Sequence, residues 1–161
     1  MIDNMKDLTL VKHASGAPGL RLFGIGPIFL PSEGISKLQL LLDKNTFWAK
    51  NRSKKDIRKM LLNSQVIVSV WKKNHIVAFG RATSDGIFRA VLWDIVVDQK
   101  YQHAGLGKLI VNTILSNTWI SKVERVYLMT TKFDEFYSSR GFLLEKEQKL
   151  MIRKNQNQIS C

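Results

Sequence analysis

Several things that staple or anchor a small protein are scarce in this chain. Its 161 residues include one cysteine, Cys161, so no disulfide can close within it and an oxidising compartment is not indicated. The three histidines, His13, His75 and His103, lie far apart and have no cysteine partners, which argues against a structural zinc site; no metal is expected. No apolar run reaches the roughly 20 residues that cross a bilayer. The opening MIDNMKDLTL has neither a basic region with an apolar core nor an Arg/Ser-rich, acid-poor character, so neither a membrane nor a cleaved leader is expected. Repeats, low-complexity blocks and interdomain linkers are also missing. The expectation is one domain over 1–161, with 154–161 a polar tail.

What is present is ordinary for a globular protein: 45% hydrophobic and 24% charged residues, enough for one sizeable core. Lysine and arginine outnumber aspartate and glutamate by 25 to 13, a net charge of +12. The excess is scattered instead of gathered in a tail. Such a surface suits polyanion binding or recruitment of a phosphorylated small molecule.

The most informative stretch is 90–108. Residues 90–97 are apolar at nearly every position, as in a strand covered on both faces, with Asp94 the exception. Gln102, His103, Ala104, Gly105, Leu106, Gly107 and Lys108 follow, and helical spacing of apolar residues starts at Leu106. Glycines at such a turn let backbone amides approach a ligand, and a helix start carries unpaired N–H groups that suit a phosphate. A dinucleotide fingerprint would need glycine at 110, where the chain has Ile110. A P-loop would need glycine at 102 and a hydroxyl at 109, where it has Gln102 and Leu109.

In chain order, 20–30 reads as a strand broken by Gly24, Gly26 and Pro27. Residues 32–48 read as an amphipathic helix with Ile35, Leu38, Leu41, Leu42 and Phe47 on its apolar face. Ser53 to Asp56 approximates a capping box ahead of a short helix carrying Ile57, Met60 and Leu61. Strands at 65–71 and 76–82 follow, and Asp85-Gly86 suggests a type I′ turn into 90–97. A helix over 106–120, with Leu109, Ile110, Ile114, Leu115 and Trp119 as its packing face, leads to a strand at 126–129. Strand, crossover helix and strand should make a parallel pair. A short helix at 132–140 closed by Gly141 and a final strand or hairpin at 143–153 complete an α/β chain with a mixed sheet, order β-α-α-β-β-β-α-β-α-β.

The spacing Gln102-x-x-Gly105-x-Gly107, with Phe136-Tyr137 four residues before Gly141-Phe142, resembles the two signatures of the GCN5-related N-acetyltransferases (GNAT). The resemblance covers about 65–142. The run GRATSDGIFRAVLWDIVVD is similar to the plastid and cyanobacterial branch that includes plant-type serotonin N-acetyltransferases, and points to a plastid-encoded algal member in the stroma. It implies the GNAT acyl-CoA fold with splayed central parallel strands, acetyl-CoA as co-substrate, and direct acetyl transfer to a primary amine in a ternary complex. Ile95, Val96 and Val97 match the strand that pairs with pantetheine, and the amide of Ile95 or Val96 the oxyanion donor. The amides of 103–108 match the pyrophosphate cradle, with Gln102, Lys108 and Phe136 as further contacts. Tyr137 matches a general acid for the departing thiolate; as a bare sequence feature it reads first as a core tyrosine at i+4 from Phe133. Asp94 reads either as a base or orienting group for the amine, or as a structural hydrogen-bond acceptor; Lys108 as a phosphate ligand or a solvated lysine.

Three departures bear on this: Gln99 for a common proline, His103 for a common glycine, and Thr130 and Thr131 where serotonin-acetylating relatives carry an acid. The expected acceptor is a small-molecule or protein amine, and the expected state a monomer or homodimer. A nucleic-acid partner is not favoured. The alternatives are an RNA- or ribosome-associated module using Trp48, Arg52, Lys54, Lys55, Arg58 and Lys59, and a CoA-binding scaffold without catalysis.

Overall fold

The computed structural model describes residues 7–13 and 33–153. The chain divides into two compact units, Met1–Leu128 and Met129–Cys161. The first is a five-stranded sheet, order β1-β2-β3-β4-β5, built from β1 (Leu8–His13), β2 (Val66–Lys72), β3 (His75–Ser84), β4 (Arg89–Val97) and β5 (Arg125–Tyr127). The first four strands pair antiparallel and β5 joins β4 in parallel, as the strand–helix–strand connection requires.

Two helical layers cover the sheet. On one face, α1 (Gly34–Asn45) and α2 (Lys54–Leu62) bury Leu38, Leu42, Ile57 and Leu61 against Trp71, Phe79 and Val96. On the other, α3 (Leu106–Leu115) buries Leu106, Ile110, Val111 and Ile114, a stripe at i, i+4, i+5 and i+8. Half of the capping box forms: the Ser53 side chain accepts from the Asp56 amide at 3.1 Å and opens α2, while the Asp56 carboxylate accepts from the Ser53 hydroxyl at 2.6 Å. Among the described residues, no helix is long and apolar enough to cross a membrane.

The strand read at 20–30 lies outside the described residues, of which the first strand is Leu8–His13. Four details differ from the sequence reading. Helix α1 ends at Asn45 because Thr46 turns extended and both its amide and hydroxyl bond the Leu42 carbonyl at 2.9 Å, so Phe47, 70% exposed, leaves the packing face. The β3–β4 loop is not a two-residue I′ turn. Only Gly86 of the pair has positive φ, and the Asp85 carboxylate spans a longer loop by accepting from the amides of Ile87, Phe88 and Arg89. Helix α3 stops at Leu115, with Leu109 and Trp119 exposed. In the second unit no strand follows α4 (Asp134–Ser138) among the described residues: Leu143 and Leu144 are almost wholly exposed, and the Glu147 amide bonds the nearby Glu145 carboxylate instead of a neighbouring strand.

Candidate active site

The parallel ladder is short. It runs Arg89↔Arg125, Ala90↔Val126, Val91↔Tyr127 and ends there with β5, leaving residues 92–97 of β4 outside the ladder. Within that stretch β4 is bulged. Phe79 faces Val96 and Arg81 faces Trp93, so Gly80 alone stands opposite both Asp94 and Ile95. Asp94 supplies the extra residue in a left-handed conformation, φ 51°, inside a strand. The Asp98 amide donates to the Val77 carbonyl at 2.9 Å. Two-residue alternation back along the strand turns the backbone groups of Val96 toward β3 and those of Ile95 and Val97 toward the edge left by β5.

The Asp94 side chain is buried in a double ion pair. Its Oδ2 accepts from Arg81 Nε at 2.8 Å and from Arg52 Nη1 at 3.1 Å. Burial pushes this carboxyl up, but the two guanidiniums outweigh it and hold it below the usual carboxylate range. Arg81, itself largely covered, also donates to Ser64 Oγ at 3.3 Å and lies over the Trp93 ring. Arg52 comes from the α1–α2 turn and also touches Met60 Sδ at 3.5 Å. A carboxylate so engaged is a weak proton acceptor, and the structural reading of Asp94 fits this geometry better than the base.

The turn after β4 is tied down from its own side. The Gln99 amide donates to Asn45 Oδ1 at 3.1 Å, and Asp98 caps a single turn of 3-10 helix, Gln99–Tyr101. His103 at φ 63° and Gly105 at φ 79° then flank Ala104, the alternation of hand found in anion-binding nests. A Cβ at Gly105 would meet nothing within 4 Å, so the glycine answers the backbone angle and the space beside it is open. The helical ladder begins with Leu109 N–H to Gly105 O at 3.0 Å, which leaves the amides of Leu106, Gly107 and Lys108 ahead of the first i→i−4 bond. Gln102, His103 and Lys108 are exposed, and Leu106 is buried under the sheet. Among the described residues the chain thus has an open strand edge and an amide-rich helix start joined by eight residues, and these backbone groups fit a pyrophosphate and an extended amide-bearing arm.

In the second unit, α4 ends in a Schellman cap. Gly141 at φ 83° lets its own amide reach the Ser138 carbonyl at 3.0 Å and the Phe142 amide reach the Tyr137 carbonyl at 3.2 Å. Phe142 packs edge-on to Tyr137 at 5.8 Å, and Phe136 does so at 4.9 Å. The Gly-Phe pair therefore fixes the Tyr137 ring. Burial raises the phenol's pKa against the opposing Arg140 charge, so it holds its proton through neutral pH. Arg140 stacks on the Phe136 ring at 3.8 Å and donates from Nη1 to the Phe136 carbonyl.

Sequence reasoning missed Arg81 and Gly80, and placed Arg52 among the basic residues of the alternative RNA-binding module. Gly80 carried a usable signal, since a glycine within an apolar strand marks a bulge or a close approach. The two arginines carried none, being 13 and 42 residues from Asp94.

A mixed sheet with a bulged interior strand, a curtailed parallel pair and a glycine turn into a helix defines an acyl-transferase architecture. The chain belongs to the GNAT acetyltransferase family, whose acetyltransferase (GNAT) domain it matches over residues 63–143. It is 30% identical over 105 residues to the uncharacterized N-acetyltransferase ycf52 of Pyropia yezoensis, covering 62% of this chain and 60% of that one. It is 33% identical over 90 residues to the chloroplastic GCN5-related N-acetyltransferase 1 of Arabidopsis thaliana, covering 53% and 46%. The chain thus spans about half the length of the curated relatives it matches. A GNAT family acetyltransferase from Streptococcus pneumoniae shares the fold at TM-score 0.69 and 19% identity, over 92% of this chain and 98% of that one.

Proposed function

We propose that the protein transfers the acetyl group of acetyl-CoA to a primary amine by direct attack, in the plastid stroma, a location that the names of its chloroplastic relatives support at the level of the organelle. The observation that carries this is the β4 edge: the ladder ends at Val91↔Tyr127 and a bulge at Asp94 turns the Ile95 backbone outward. Acetyl-CoA supplies an activated thioester. The Ile95 amide, rather than that of Val96, whose backbone faces β3, serves the carbonyl oxygen as negative charge develops on it; a single such donor is worth about 10²–10³-fold in rate. Val97 pairs with the pantetheine arm. The amides of 103–108, with Gln102 and Lys108, hold the pyrophosphate, and the resemblance adds Phe136 as a further contact.

Attack forms the C–N bond as the C–S bond breaks. The resemblance gives Tyr137 as the donor of the thiolate's proton, and the proton lost by the amine nitrogen then returns to the phenolate through solvent. Holding amine and thioester together supplies most of the gain, up to about 7–11 kcal/mol for ideal geometry. The acceptor is a small-molecule or protein amine. Release of free thiol from acetyl-CoA, screened over arylalkylamines, polyamines and peptide N-termini, tests the proposal, alongside the melting temperature with acetyl-CoA. A melting temperature unmoved by saturating acetyl-CoA, with no thiol released for any acceptor, rejects it.

A further inference from the structure

We infer that Arg52 is a positioning residue: acting through the Asp94 carboxylate, it fixes the left-handed residue of the β4 bulge and so aims the Ile95 amide, tying the α1–α2 turn to the oxyanion position. The inference deepens the acetyl-transfer reading and rests on it. A non-glycine residue at φ 51° within a strand persists only where its surroundings over-determine it. At Asp94 the surroundings are two guanidiniums converging on one oxygen from different layers. Arg81 reaches it along the sheet from β3, locked by Ser64 and Trp93. Arg52 reaches it from the helical layer, and its own carbonyl accepts from Gln39 Nε2 of α1 at 2.8 Å, which anchors its backbone.

The two arms are unequal. The Arg81 side chain is 12% exposed and that of Arg52 30%, so Arg52 is the arm that a change at the turn can move. Asp94 is the residue immediately before Ile95, and a rotation of its backbone swings the Ile95 amide directly. The fork of a guanidinium holds a carboxylate oxygen in a set direction, which an ammonium on a flexible stem does not.

The test uses 15N-labelled full-length protein, wild type and Arg52→Met, with Arg52→Lys as the milder variant should Arg52→Met fold poorly. The expected result is a displaced Ile95 amide resonance with that of Val68 in β2 unmoved, and a kcat lower by about 10- to 100-fold with KM for acetyl-CoA within about twofold of wild type. Arg89→Met, which breaks an exposed ion pair with Glu124 at the far end of β4, should change neither reading. An Ile95 resonance that stays in place, or one that moves while kcat holds, overturns the inference. The resonance is read without acetyl-CoA, so a wild type that releases no thiol refutes the acetyl-transfer reading while the spectrum still decides whether Arg52 sets the bulge.

Discussion

Gly80→Ala is a perturbation whose size can be worked from distances. Gly80 is the single residue opposite the two-residue bulge and lies beneath α3. Its φ is not in the left-handed region, so the cost of a side chain there is steric. A Cβ at Gly80 would sit 2.5 Å from Ile110 Cγ2, 2.7 Å from Ile95 Cδ1 and 3.1 Å from Ile114 Cδ1. Carbon pairs prefer about 3.5–4.0 Å, so two contacts are short by about an ångström. Ile95 Cδ1 ends its side chain and can rotate away. Ile110 Cγ2 cannot, because it hangs on the branched Cβ of a fully buried helical residue with one favoured rotamer. Helix α3 must lift or the bulge must flatten. Overpacking of this kind costs about 1–3 kcal/mol. At roughly 2–4 °C per kcal/mol for a domain of this size, the melting temperature should fall by roughly 2–12 °C. Thermal unfolding followed by circular dichroism reads this, and thiol release should show kcat falling as well, because the displaced elements carry the Ile95 amide and the helix-start amides. Ile110→Leu, which moves the branch one carbon outward, should restore part of both. Wild-type stability and turnover in Gly80→Ala would refute the close packing of α3 on the bulge.

Gly105→Ala meets no neighbour and strains only the backbone. It should cost about 1–2 kcal/mol and weaken acetyl-CoA binding by isothermal titration, with Gly105→Asn intermediate because asparagine tolerates the left-handed region. Tyr137→Phe should lower kcat on the order of 10²-fold with little change in KM. The wild-type phenol, its pKa raised by burial, loses its proton only above its ordinary value, so the wild-type rate should fall at strongly alkaline pH where Tyr137→Phe stays flat; equal rates across pH would remove Tyr137 from the mechanism. The Asp94 carboxyl is held below its unfolded value, which means its ion pairs stabilise fully above about pH 4 and are lost as pH falls through the lower folded value. Asp94→Asn, which leaves two part-buried guanidiniums without their counter-ion, should cost about 1–3 kcal/mol at neutral pH, less than for a fully buried pair because water reaches Arg52. The melting-temperature gap to wild type should narrow below about pH 4, and a gap independent of pH would contradict the ionised pair.

What could be read from the sequence was local. The Gln102–Gly107 turn, the Ser53–Asp56 cap and the Gly141 stop each depend on residues within one helical turn, and each appears where its spacing placed it. His103 was read as a residue bearing a side chain in a glycine position, and it does take φ 63°. The parallel β4–β5 pair was legible because connection length and handedness leave few options. The clamp on Asp94 was not, since its partners come from a helical turn and a neighbouring strand. Phe47 has the helical interval of a packing residue, yet Thr46 ends α1 before it. Apolar content at 143–153 suggested a strand, but composition does not provide an edge to pair with.

The bulge puts consecutive residues under the control of opposite layers. Asp94 is held by Arg52 on the face covered by α1 and α2, and Ile95 packs beside Gly80 under Ile110 and Ile114 of α3. A strand pulled both ways at one point cannot continue flat, and a flat strand is what pairing with β5 beyond Val91 would require. The free edge is therefore not a gap left by a short neighbour alone. It is imposed by packing on both faces, and an open edge that a sheet would ordinarily pair or cover is kept in one place and one orientation. The amide proposed to face the oxyanion belongs to the backbone, and of the substitutions at Ile95 only proline removes it. Its direction is encoded instead by Gly80, Arg81 and Arg52, none of which carries a reacting group.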